Sequence, residues 1–131
     1  MDILKAIKKI NWCHKRINSQ VEKFSQKIVV FITCPNLEIA DEISEILLEE
    51  KLAACINIIR VSSHYLWKGK KESDQEIMMI VKTKNKLLEE LTAKIIKTHP
   101  YEIPEIIAIP LIGGSDDYLK WIDDETKSYK E

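Results

Sequence analysis

The 131-residue chain is poor in what many function classes need: it has three glycines, four prolines, two phenylalanines and three cysteines. It holds no run of about 18 uncharged apolar residues, which excludes a membrane-spanning helix, and its start lacks the apolar stretch of a secretory signal. Cys13, Cys34 and Cys55 are odd in number and widely spaced, with no Cys-x-x-Cys pair, so they predict no disulfide framework and a reducing, cytoplasmic setting. Glycine is too scarce for a phosphate-cradling loop, and Gly-x-Ser-x-Gly, paired-aspartate and His-Glu-x-x-His signatures are missing. No nucleophile, base and orienting group come together, so the chain is read as a non-enzyme without an organic cofactor. Neither sign of charge dominates: 20 Lys and Arg against 21 Asp and Glu leave a net of −1, which offers little to nucleic acid.

The charge that is present is unevenly placed. Residues 1–27 carry seven basic and two acidic side chains, a local net of +5, and the remainder carries −6. The same segment spaces Ile3, Ile7, Ile10, His14, Ile17, Val21 and Phe24 by alternating fours and threes, the seam of a heptad pattern. Three readings fit it: a self-associating coil in which three His14 imidazoles meet a metal on the axis, a helix docked on the body, or a disordered or processed leader. It is poor in Arg and Ser for an organelle transit peptide. It is read as a basic N-terminal extension, separate from a domain spanning residues 28–131.

From residue 28 the periods alternate. Ile28–Thr33 is a short β-branched run stopped by Cys34-Pro35-Asn36, which places Cys34 in an exposed first turn. Leu37, Ala40, Ile43, Ile46 and Leu47 then recur at helical spacing with Asn36 as N-cap. Ala53–Ile59 reads as a strand, Val61–Trp67 as its continuation or a second short one, and Gln75–Thr83 as another after the Lys68-Gly69-Lys70 turn. A second helix is predicted over Lys86–Thr98 with Asn85 as cap, ended by Pro100. Glu105–Leu111 is a last strand, and Ser115 caps a final helix through Tyr118, Leu119 and Ile122.

This order predicts an α+β fold, the ferredoxin-like βαββαβ sandwich with an antiparallel sheet, helices on one face and an extra C-terminal helix. The strands are apolar on both parities. Ile77, Met79 and Val81 make one face of their strand, and Met78 and Ile80 make the other apolar as well. Two helices cover only one face of such a sheet, so the other predicts a homo-oligomer unless the final helix and the N-terminal segment cover it.

At Leu52-Ala53-Ala54-Cys55-Ile56-Asn57-Ile58-Ile59, Tyr65-Leu66-Trp67-Lys68-Gly69-Lys70 and His99-Pro100-Tyr101-Glu102-Ile103-Pro104-Glu105-Ile106 the sequence resembles the CutA divalent-cation-tolerance family. Thr33-Cys34-Pro35-Asn36 and Tyr118-Leu119-Lys120-Trp121-Ile122 agree with it, and the resemblance runs from about Ile28 to Ile122. Leu66 stands where many members have an aromatic, and Arg60-Val61 where many have Pro-Gly. The resemblance implies a ferredoxin-like subunit, a homotrimer built by pairing of sheet edges, and binding of copper or another divalent metal ion in metal homeostasis. It also implies a likeness to PII signalling proteins, and so the alternative of a scaffold trimer holding a small anionic ligand or a partner protein in its clefts.

The candidate residues follow from both lines. Cys55 sits where the resemblance is characteristic, and a thiolate suits copper(I), although a cysteine between apolar strand neighbours also serves as a small buried hydrophobe. His99, Tyr101, Glu102 and Glu105 lie within seven residues stiffened by two prolines, the material of a wall that binds a cation or a polar molecule, or of a rigid connector at a subunit boundary. Cys55, His99 and Glu102 are thus the candidate metal ligands. Trp67, Glu76, Lys82, Tyr101 and Glu105 are candidates for ligand binding or an interface. Strand spacing sends Glu102 and Glu105 to opposite sides unless Pro104 turns the chain. Glu76 and Lys82 stand about 20 Å apart along one strand and cannot pair, which leaves Lys82 free for an anion or for Glu102.

Overall fold

The computed structural model describes residues 2–8 and 26–128. Residues 3–8 are helical and leave Ile3 and Ile7 exposed; the rest of the heptad seam, with Cys13 and His14, lies outside the described residues. The body runs β1 (Lys27–Cys34), α1 (Leu37–Glu49), β2 (Cys55–Trp67), β3 (Lys70–Lys84), a 3-10 turn (Asn85–Leu87), α2 (Leu88–Thr98), β4 (Ile106–Pro110) and α3 (Asp116–Glu125). The sheet order is β2-β3-β1-β4 and every pairing is antiparallel, the ferredoxin-like arrangement expected from the sequence. Among the described residues no helix is long and apolar enough to cross a membrane.

Local chemistry explains most boundaries. The Asn36 side chain accepts from the Ile39 N–H at 2.9 Å and opens α1, and Ser115 does the same for α3 through Tyr118 N–H at 3.2 Å. Asn85 is not the cap expected of it. Its N–H donates to the Gln26 carbonyl at 2.8 Å, the chain makes a 3-10 turn there, and α2 starts at Leu88 with no side-chain cap. The β2 segment does not break at Arg60: one continuous register pairs Cys55 with Lys82 and Trp67 with Lys70. Polar residues stay in this ribbon because cross-strand partners hold them, as where Ser62 and Gln75 exchange hydrogen bonds at 2.9 and 3.1 Å. Lys68 and Gly69, with φ of 50° and 78°, form the two-residue turn with positive φ at both positions that matches strand twist.

Alternate strand residues Ile28, Val30, Ile32, Ile77, Met79 and Val81 point to the helices and pack with Ala40, Ile43, Leu47, Leu91 and Ile95 into the core. The opposite face is covered at one end only. Lys27 and Lys84, paired across strands, both reach Asp123 of α3, at 3.8 and 3.3 Å, and the Tyr118 phenol meets the Cys55 thiol. Beyond α3 that face leaves Ile59, Ile107 and Ile109 about half exposed (46%, 52% and 47%), beside the partly buried Phe31, Met78 and Ile80.

Candidate functional site

The β2–β3 ribbon runs on past the end of β1, which pairs only with residues 77–84 of β3. Between this projecting ribbon and the chain leaving α2 lies a cleft of about 690 Å³, within the range of small-ligand sites. Its floor is Thr33 and Glu76. One wall is Ser62, Ser63, His64, Tyr65 and Trp67, and the other is the 100–105 segment.

His99 sets the second wall in place. It caps α2 with its N–H on the Ile95 carbonyl at 2.8 Å, and its ring is buried. The Thr33 carbonyl, 2.7 Å from Nε2, can only accept, so Nε2 carries the proton and Nδ1 accepts from the Tyr101 N–H at 3.2 Å. Both ring nitrogens are therefore engaged. His99 pins the loop to the end of β1, and its ring packs against Tyr101 at 4.8 Å between centroids.

Tyr101 in turn donates its hydroxyl to Glu76 Oε2 at 2.9 Å. Burial, and then that bond and the Glu76 charge, push the phenol well above its ordinary range, so it remains a donor at any physiological pH. Across the cleft the Tyr65 hydroxyl donates to Asp74, and this bond with the surrounding carboxylates pushes it up to about 12. Glu105 is raised as well, by burial first and by the Glu76 charge second. No lysine or arginine lines the cleft among the described residues. It is a cation-attracting concavity of carboxylates, phenols and an indole.

The structure gathers five of the candidate residues here, Trp67, Glu76, Tyr101, Glu102 and Glu105. Glu102 and Glu105 line one cleft, and the chain bends at residues 101–103 rather than at Pro104. Cys55 and Lys82 are elsewhere. They are paired across β2 and β3 with Nζ 3.8 Å from Sγ, four residues along β3 from the level of Thr33, or about 13 Å. Lys82 therefore does not meet Glu102, and Cys55 does not share an ion with His99 or Glu102. Among the described residues no three His, Cys, Asp or Glu side chains are grouped to hold a metal. Cys34 is corrected too: it is fully buried against Met79 Sδ at 3.6 Å, and burial, with Glu76 second, pushes its thiol up to about 11.

Sequence reasoning passed over Thr33, Ser62, Ser63 and His64. Nothing in their alternation marks them; only register counted back from the Lys68-Gly69 turn, which sets Ser63 opposite Asp74 and Val61 opposite Glu76, brings them to the cleft.

Comparison with known proteins agrees with the fold. The family profile described as CutA1 divalent ion tolerance protein matches residues 28–125. The chain is 45% identical over 102 residues to the chloroplastic protein CutA of Arabidopsis thaliana, covering 77% of this chain and 56% of that one. It is 43% identical over 100 residues to the divalent-cation tolerance protein CutA of Pyrococcus horikoshii, covering 76% of this chain and 98% of that one. The crystal structure of CutA1 from Oryza sativa superposes with a TM-score of 0.77 at 39% identity, over 81% of this chain and 98% of that one. The chain spans little more than half the length of the plant and mammalian relatives it matches. With the profile covering the whole sheet and both core helices, the chain belongs to the CutA1 divalent ion tolerance family.

Proposed function

We propose that the protein acts as a homotrimer that binds divalent cations, copper among them, in cytoplasmic metal homeostasis, by binding rather than catalysis. One observation carries the reading: the cleft presents Glu76, Glu102 and Glu105 with no lysine or arginine in its lining among the described residues, beside a sheet face too apolar for water. The donors are oxygens with the His64 imidazole, which suit harder divalent ions, copper(II) included, better than copper(I). Among the described residues one copy does not group three ligands, so coordination is completed where copies meet. The Cys55 thiol, with Lys82 and Tyr118 beside it, is a separate soft donor. An anionic ligand, as in the PII-like alternative, meets like charge in this cleft.

The test is light scattering of the full chain together with equilibrium dialysis against Cu(II), Mn(II) and Zn(II). A trimer with saturable uptake, weakened at least tenfold in Glu76→Gln and Glu102→Gln, is expected. Uptake lost instead in Cys55→Ser would move the site to the sheet end, and a metal-free monomer would overturn the reading.

A further inference from the structure

The aromatic walls of the cleft are not explained by metal binding, since phenols held protonated and an indole are poor ligands for a divalent ion. Tyr65, Trp67 and Tyr101 nevertheless surround the opening above Glu76. Glu76 is more than nine-tenths buried, at 8% exposure, and its single hydrogen-bond partner among the described residues, Tyr101, is on Oε2. No fully buried side-chain oxygen lacks a partner among those residues, so Oε1 is not fully enclosed, and Glu76 lines the cleft. A buried carboxylate in the lining of a cavity walled by aromatic rings, with Glu102 and Glu105 beside it, is complementary to a cation that is also apolar. Trp67 already shows the preference: the Lys68 ammonium stands 5.7 Å from its ring centroid.

We propose that this cleft binds an organic ammonium ion, an aliphatic amine with two or more charged nitrogens, one on Glu76 Oε1 and another at Glu102 and Glu105. The methylene chain between the nitrogens lies against the rings of Tyr65 and Tyr101. An apolar stem with charged ends uses both the rings and the carboxylates, whereas a bare metal ion uses only the carboxylates. The site shares its acids with the divalent-cation reading but rests on its aromatic walls.

Calorimetric titration of the metal-free full chain with spermidine, with propylamine as the singly charged control, tests it. Saturable spermidine binding is expected, with propylamine at least tenfold weaker. Glu76→Gln should weaken spermidine at least tenfold, and Tyr65→Leu, which leaves the lining charge unchanged, about fivefold. Glu105→Gln serves as a second charge variant if Glu76→Gln fails to fold. No saturable binding, affinity unchanged in Tyr65→Leu, or tighter binding of inorganic triphosphate than of spermidine would each overturn the proposal. The two readings fail separately. Metal uptake without amine binding sinks this one, and amine binding without metal uptake sinks the other.

Discussion

At the scale of single residues the two described thiols part company. Cys34 looked accessible beside Pro35, yet the strand runs one residue further than the apolar pattern suggested and carries it into the core. Because burial holds its thiol near 11, iodoacetamide at pH 8 should leave Cys34 unmodified in the native protein and modify it on unfolding; peptide mapping checks this. Glu105 makes a pH prediction. Its carboxyl is raised in the fold, so between the ordinary glutamate value and its own the folded chain holds more protons than the unfolded one. Stability then falls as pH rises through that window, and Glu105→Gln should flatten this part of a denaturant-midpoint against pH profile. A steeper fall in the variant would contradict the raised value.

At the scale of elements, the caps separate what sequence pattern can show from what it cannot. Asn36, Asn85 and Ser115 look alike as polar residues before apolar periods. Asn36→Ala and Ser115→Ala should each cost about 1 kcal/mol in urea unfolding, since each removes a bonded side-chain cap. Asn85→Ala should cost less than about 0.5 kcal/mol, because the atom that matters there is its backbone N–H, which alanine retains. A cost at Asn85 equal to the other two would show the 3-10 turn to be wrongly understood. The β2–β3 ribbon makes the same point: the pattern leaves a continuation or a second short strand open after Ile59, and hydrogen bonding to β3 continues across Arg60 and carries one wall of the cleft.

At the scale of the whole molecule, the sheet has one face under α1 and α2 and another that α3 covers only near Cys55, Lys27 and Lys84. The exposed isoleucines on β4 set a prediction. Ile107→Asp and Ile109→Asp change side chains that the single copy leaves about half exposed, so the subunit should fold as before. In a trimer that buries them, each loses roughly 1–2 kcal/mol of apolar burial per copy, with the charge added to that loss, and the species seen by light scattering should shift toward monomer. Intact trimers in both variants would place the interface on another surface.

What the sequence determined by itself was periodic or contiguous: the βαββαβ order, the caps at Asn36 and Ser115, the two-faced strands, and the motifs that mark the family. Alternation along a strand and spacing along a helix are local rules, so they are legible without coordinates. Tertiary structure decided what depends on register and on where the chain turns. It carried Glu102 and Glu105 to Glu76, set Tyr65 and Trp67 opposite them, occupied both nitrogens of His99, and left Cys55 at the far end of the sheet. Those placements follow from cross-strand pairing of residues far apart in the chain, a long-range condition that no local period encodes.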